Sequence, residues 1–197
     1  MEPWYKVAMP RREVREGRSF NPDEFAIHLE QVVAKIAPED YRDPVQFFSR
    51  TCFTRALREH VGMALRRLSG QTTSTAPVMT LITQFGGGKT HTLTALYHLA
   101  THGARANDYP GVAALLKETG ISNVPEARVA AFVGNAWDPQ PGRETPWIDL
   151  AWQLAGEKGV KELGASAQTT PPGTEALGRV FKAAGAPVLL LFDAVLN

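Results

Sequence analysis

The sequence predicts an α/β chain: a parallel sheet flanked by helices and preceded by a small helical region. Three observations carry that prediction. Apolar runs of strand length stand at residues 78–82, 127–133 and 187–192, and the third is unbroken, as a buried parallel strand reads. Segments with helical spacing separate them, the alternation expected of crossovers between parallel strands. Ahead of the first run, residues 21–68 carry two helix-start signals.

Composition sets the bounds. With 197 residues, 44% hydrophobic and 21% charged, the chain has the make-up of an ordinary soluble globular protein. A formal net charge of +1 gives no global pull toward nucleic acid or a membrane surface. One cysteine, Cys52, excludes an internal disulfide and a multi-cysteine zinc site, and it fits a reducing cytoplasm. The longest apolar runs fall far short of a bilayer span, and the N-terminus has no apolar signal core. The expected location is cytoplasmic, with no membrane contact.

Residues 4–20 have no sustained period. Arg11, Arg12, Arg15 and Arg18 interleave there with Glu13 and Glu16, which reads as a solvated lead-in. Asn21-Pro22-Asp23-Glu24 is a capping box with proline at the first helical position. Phe25, Leu29, Val32, Val33 and Ile36 mark the buried face of that first helix, and Pro38 ends it. Asp43-Pro44-Val45-Gln46 starts a second helix, in which Val45, Phe48, Cys52, Ala56, Val61, Ala64, Leu65 and Leu68 hold the spacing to Gly70. Arg50, Arg55, Arg58, Arg66 and Arg67 fall mostly off that stripe and form a solvated basic face. Residues 69–77 are small and polar. The expected organisation is a helical region at 1–70, a linker at 71–77 and a nucleotide-binding domain at 78–197.

A short helix follows at 111–119, stopped by Gly120. The loop after the second apolar run holds Asn135 and Asp138, read first as turn formers. Thr145-Pro146 starts a helix whose apolar bulk, Trp147 and Trp152 included, belongs to the core. Residues 164–173 form a loop, and Leu177, Val180 and Phe181 mark the last helix before the third run.

The first apolar run leads into Gly86-Gly87-Gly88-Lys89-Thr90 and then an apolar-periodic segment to Gly103. Strand, glycine loop, Lys-Thr and helix make a phosphate cradle. Glycines let successive N–H groups turn toward an anion, and the helix N-terminus adds its positive field. Lys89 reaches the β- and γ-phosphates, and Thr90 ligates Mg²⁺. At average composition such a pentapeptide arises by chance in on the order of one chain in a thousand of this size. The full pattern G-x-x-x-x-G-K-[ST] places its first glycine at 83, where this chain has Thr83. The third run ends at Asp193, where a carboxylate at a strand tip can hold Mg²⁺. These features predict a P-loop NTPase-type parallel sheet, incomplete because three strands are visible and five are usual. Glu commonly follows that Asp and polarises the attacking water; here the residue is Ala194. The expectation is a front portion of a longer protein, truncated after the Walker B strand, that binds Mg-ATP without efficient hydrolysis.

The block running from Phe85 through Gly86-Gly87-Gly88-Lys89-Thr90-His91 to Leu93, with Ala95 to Leu99, resembles the DUF499 family of predicted AAA+-superfamily ATPases. Pro3-Trp4, Phe25-Ala26, Asp43-Pro44, Phe47-Phe48, Arg50-Thr51 and residues 145–154 belong to the same resemblance. It implies ATP at residues 86–90 with His91 close by, and Mg²⁺ at Thr90 and Asp193. It also implies a possible homo-oligomer in the full-length protein, and DNA or DNA-modification proteins as partners in defence systems by association. The family pattern has Asp-Glu where this chain has Asp193-Ala194.

His98 and His102 sit one helical turn apart, a spacing that can share a metal. Lacking a third ligand nearby, they read as cations at a helix C-terminus. The competing function is a non-hydrolysing, nucleotide-gated module for protein or DNA. A small-molecule kinase fits less well, and GTP remains an alternative to ATP.

Overall fold

The computed structural model describes residues 3–10, 12–19, 25–82 and 86–195. Ten α-helices and two strands appear among them. Two four-residue helices, α1 (Trp4–Val7) and α2 (Arg12–Arg15), lie in the lead-in. Then come α3 (Leu29–Val33), α4 (Glu39–Arg42), α5 (Pro44–Arg50) and α6 (Arg55–Leu68). Helix α7 (Lys89–His102) follows the glycines and leads through a 3₁₀ turn to α8 (Val112–Thr119). Strand β1 (Arg128–Val133) precedes α9 (Pro146–Leu163), α10 (Thr174–Ala184) and β2 (Val188–Asp193). The result is a mixed helical and sheet structure with a helical N-terminal region.

Strands β1 and β2 pair in parallel, with Arg128 opposite Val188 and Val133 opposite Asp193. The register brings Val133 and Asp193 to the same C-terminal end of the sheet. Beside β1, the side-chain amide of Gln153 on α9 accepts from Ala131 N–H (2.9 Å) and donates to Ala131 C=O (3.0 Å). That pair of bonds imitates a neighbouring strand and occupies the ladder groups of an edge that would otherwise invite pairing.

Among the described residues the sheet has two strands, so the expected strand at 78–82 is corrected. Val78 and Ile82 are 79% and 87% exposed, and only Met79 packs on the core. An apolar run becomes a strand when a neighbour supplies ladder partners. Here β1 and β2 pair with each other, and neither pairs with this run.

Two clusters form the core. The larger joins Leu29, Phe47, Phe48, Val61 and Leu65 of the N-terminal helices to Leu96 and Leu99 of α7, with Val133 and Leu191 from the strands. The smaller packs Ile148, Leu154 and Val180 of α9 and α10 against Ala130 on the other face of the sheet. Each fully buried Leu or Phe contributes roughly 1.5–3 kcal/mol. Helix α7 is buried on most sides, which suits the central element of the fold.

The N-terminal helices differ from expectation. The first is α3, a five-residue helix, and Asn21 to Glu24 lie outside the described residues. Phe25 is 66% exposed, and Ile36 is exposed as well. The helix stops at Ala34, and Lys35 adopts the left-handed conformation (φ 61°). The second predicted helix is split in two. Asp43 accepts from Gln46 N–H with Pro44 at N1, as its start signal implies. Thr51 to Thr54 then break the helix, because Thr54 itself caps α6 by accepting from Leu57 N–H. The break turns Phe47 and Phe48 inward and leaves Val45 and Cys52 exposed.

Helix α9 starts at its Thr145 cap and kinks at Ala155 and Gly156, where Gly156 has φ 59°. Trp152 corrects the all-core reading of the tryptophans. It is 40% exposed, with the Arg143 guanidinium 5.7 Å from its ring centre. Among the described residues no helix is long and apolar enough to cross a membrane.

Candidate functional site

The glycine turn meets the N-terminus of α7. Gly86 and Gly88 both adopt positive φ (77° and 75°), a region that favours glycine. A Cβ built on either would stand in open space, so backbone conformation, not crowding, is what calls for glycine there. Gly88 caps α7, and its carbonyl accepts from both Thr92 N–H and the Thr92 hydroxyl at 2.9 Å. The amides of Lys89, Thr90 and His91 stand ahead of that first ladder bond, where helix geometry supplies no carbonyl four residues back. With the helix dipole, this row is suited to an anion. Gly86, Gly87 and Gly88 are exposed, and Lys89 and Thr90 are half-buried. Thr83 and Phe85 lie outside the described residues.

Asp193 arrives from the other direction, at the tip of β2. Its carboxylate Oδ2 accepts from the Thr90 hydroxyl at 2.8 Å, and Oδ1 accepts from Ala194 N–H at 3.1 Å. The Asp193 carbonyl accepts from Gly134 N–H at 2.9 Å, which extends the parallel pairing by one step. Ala194 is left-handed (φ 48°), and its carbonyl lies so close over Gly134 that a Cβ there would collide. The methyl group of Ala194 carries no proton acceptor.

A hydroxyl and a carboxylate held side by side form a hard-oxygen pair. That chemistry fits Mg²⁺, which takes one or two carboxylates, keeps several waters and completes its shell with phosphate oxygens. Among the described residues there is no group of three or more His, Cys, Asp or Glu side chains able to hold a metal. A dedicated all-protein metal cage is therefore not what these residues offer.

His91 turns its ring to the N-terminal helices. It stacks on Phe47 (centroids 4.6 Å apart, 30° between planes), and its Nε2 is 3.0 Å from the Thr51 hydroxyl oxygen. That hydroxyl already donates to Phe47 C=O at 2.8 Å. In the neutral ring, the tautomer with its proton on Nε2 would donate to Thr51 Oγ1 and leave the Phe47 bond in place. Burial lowers the His91 pKa and favours this neutral form. Beside this contact opens a cleft of about 840 Å³ whose lining includes Phe25, Tyr41, Phe47, Arg50 and His91.

The paired histidines are corrected. His98 is 2% exposed, and its Nε2–H donates to Tyr41 C=O at 2.8 Å. Burial pushes its pKa down to about 4; the Tyr41 carbonyl opposes this and nearby His102 adds to it. At neutral pH His98 is uncharged, so it is no helix-end cation. His102 Nδ1 donates to His98 C=O at 2.8 Å. These two nitrogens serve backbone carbonyls and not a shared metal.

Asn135 and Asp138 are exposed just past Gly134, at the sheet end that holds Asp193. Arg55 pairs with Glu59 (2.7 Å), and Arg58 with Glu118 (3.2 Å) and the Phe53 carbonyl. The basic face is thus partly neutralised. Phe47 and Thr51, which hold His91, were visible in the sequence only as parts of a resemblance. Their spacing gives no sign of a partner 44 and 40 positions away.

The profile of the DUF499 N-terminal domain matches residues 6–130, well over half of the chain. The chain belongs to the DUF499 family. The DUF499 match takes in the glycine turn, all of α7 and the start of β1, while Asp193 and Ala194 lie beyond it. No curated protein and no solved structure matches the chain.

Proposed function

We propose that this DUF499 chain is a P-loop, AAA+-like segment that binds Mg-ATP at Gly86, Gly87, Gly88, Lys89, Thr90 and His91, with Thr90 and Asp193 holding the metal. The observation that carries the reading is the 2.8 Å bond between Thr90 and Asp193 at the mouth of a left-handed glycine turn. Residues far apart in sequence meet there as an oxygen pair, next to the amide row of α7. In this reading the amides of 88–91 and the Lys89 ammonium orient the triphosphate. Bound Mg²⁺ supplies charge neutralisation at the phosphates. Ala194 offers no general base, so the chain holds ATP with little turnover. The lone thiol Cys52 suits a cytoplasmic setting. Calorimetric titration of the chain with ATP, in Mg²⁺ and in EDTA, tests the reading. It requires binding that weakens when the metal is removed.

A second reading, a nucleotide-gated interaction module, draws on the contact of His91 with Phe47 and Thr51. That contact links the cradle directly to α5. Nucleotide occupancy would then bias the packing of the N-terminal helices toward a protein or DNA partner. DNA binding that rises with ATP and weakens with salt would favour it over simple storage of nucleotide.

A further inference from the structure

We infer that the cleft beside α7 is the nucleoside pocket of this site, receiving the base and ribose of a nucleotide whose phosphates lie on residues 86–90. The inference rests on the proposed phosphate cradle and adds what determines which nucleotide is taken.

His91 is the shared residue. Its amide stands in the row that opens α7, and its ring lines the cleft. A ligand that leaves the phosphate row past His91 therefore enters the cleft directly. At about 840 Å³ the cleft lies within the range of small-molecule pockets, roughly 300–1,000 Å³. Its chemistry is that of a nucleoside site. Phe25 and Ile27 give the lining apolar surface, which suits the body of a base. Gln46 also lines the cleft with both donor and acceptor groups, which suits the edge of a base. Arg50, ion-paired with Asp40, supplies further polar groups along the lining. Apart from His91 the lining comes from the helical N-terminal region, so that region is assigned a recognition task that the glycine turn cannot perform alone.

The test compares Mg-ATP with Mg-tripolyphosphate, which has the phosphates without the nucleoside, on the whole chain and on Gln46→Trp. Gln46 is exposed and lines the cleft, so an indole there would crowd the place assigned to the base. The expected result is ATP binding at least tenfold tighter than tripolyphosphate. Gln46→Trp should erase that margin and leave tripolyphosphate affinity unchanged. Photolabelling the unaltered chain with 8-azido-ATP gives an answer that needs no variant, and the label should map to residues 25–50. Equal affinity for the two ligands, or label confined to other segments, overturns the inference while the cradle stands if Lys89→Ala weakens both. If neither ligand binds, the cradle reading falls and this one with it.

Discussion

The Thr90 hydroxyl donates to Asp193 Oδ2 at 2.8 Å, closing a contact across 103 positions of sequence. It fastens the first turn of α7 to the tip of β2. A hydrogen bond to a charged acceptor is worth roughly 1.5–3 kcal/mol when buried, and less in this half-buried setting. Thr90→Val and Asp193→Ala should each destabilise the metal-free chain by about 1 kcal/mol. The double variant should lose less than the sum, since both remove the same bond. Urea denaturation of the four proteins checks this. Strictly additive losses would mean that the contact carries no energy in solution.

Acid should weaken the fold through His98. Its Nε2–H is committed to Tyr41, and among the described residues its buried Nδ1 has no hydrogen-bond partner. The folded pKa is about 4 against an ordinary 6.5, because burial disfavours the charged ring. Below pH 6.5 the unfolded chain takes up the proton first, so stability falls as pH drops. The contribution is whole above about pH 6.5 and drains between 6.5 and 4, on the order of 3 kcal/mol in all. His98→Gln removes the titrating group and should flatten that part of the profile. A pH-stability curve of the same slope in wild type and variant would assign the effect elsewhere.

The glycines make separate demands. Gly88→Ala forces a side chain into a left-handed residue (φ 75°) and should cost about 1–2 kcal/mol with no steric clash. Gly134→Ala drives a methyl group into the Ala194 carbonyl and should cost about 1–3 kcal/mol as the strand tip shifts. Thermal melts rank the two. Because Gly134 sits under Asp193 and Ala194, its variant should also weaken metal-dependent nucleotide binding. A Gly134→Ala protein with unchanged melting and binding would remove the close approach from the account.

Hydrolysis should be negligible. Ala194 places a methyl group directly after the carboxylate, so no side chain there polarises water. Phosphate release from Mg-ATP should match the protein-free rate. A clear rate that disappears in Lys89→Ala would show that a base elsewhere serves the site.

Much of this was legible because it is local. The Asp43 and Thr145 caps, the Gly120 stop and the runs that became β1 and β2 follow from neighbouring residues in the chain. The closeness of Thr90 and Asp193 could be anticipated from where each stands, at a helix start and a strand end. What failed depends on partners distant in sequence. Residues 78–82 have the composition of a strand but no ladder neighbour. Thr51 to Thr54 continue a helical pattern until the Thr54 cap wins over periodicity. His98 looked like a cation until the fold buried it beside Tyr41. The Gln153 bonds to Ala131 leave no trace in spacing at all.

The central claim is that residues 86–90 with Asp193 hold Mg-ATP, and Lys89 tests it most directly. Charge-assisted contacts to phosphate are worth roughly 1.5–3 kcal/mol, about a tenfold to hundredfold change in affinity. Calorimetry should show Mg-ATP binding to the wild-type chain and a loss of at least tenfold in Lys89→Ala, the variant being checked as folded by circular dichroism. Equal affinity in the two proteins, or no binding by a folded wild-type chain, would contradict the account.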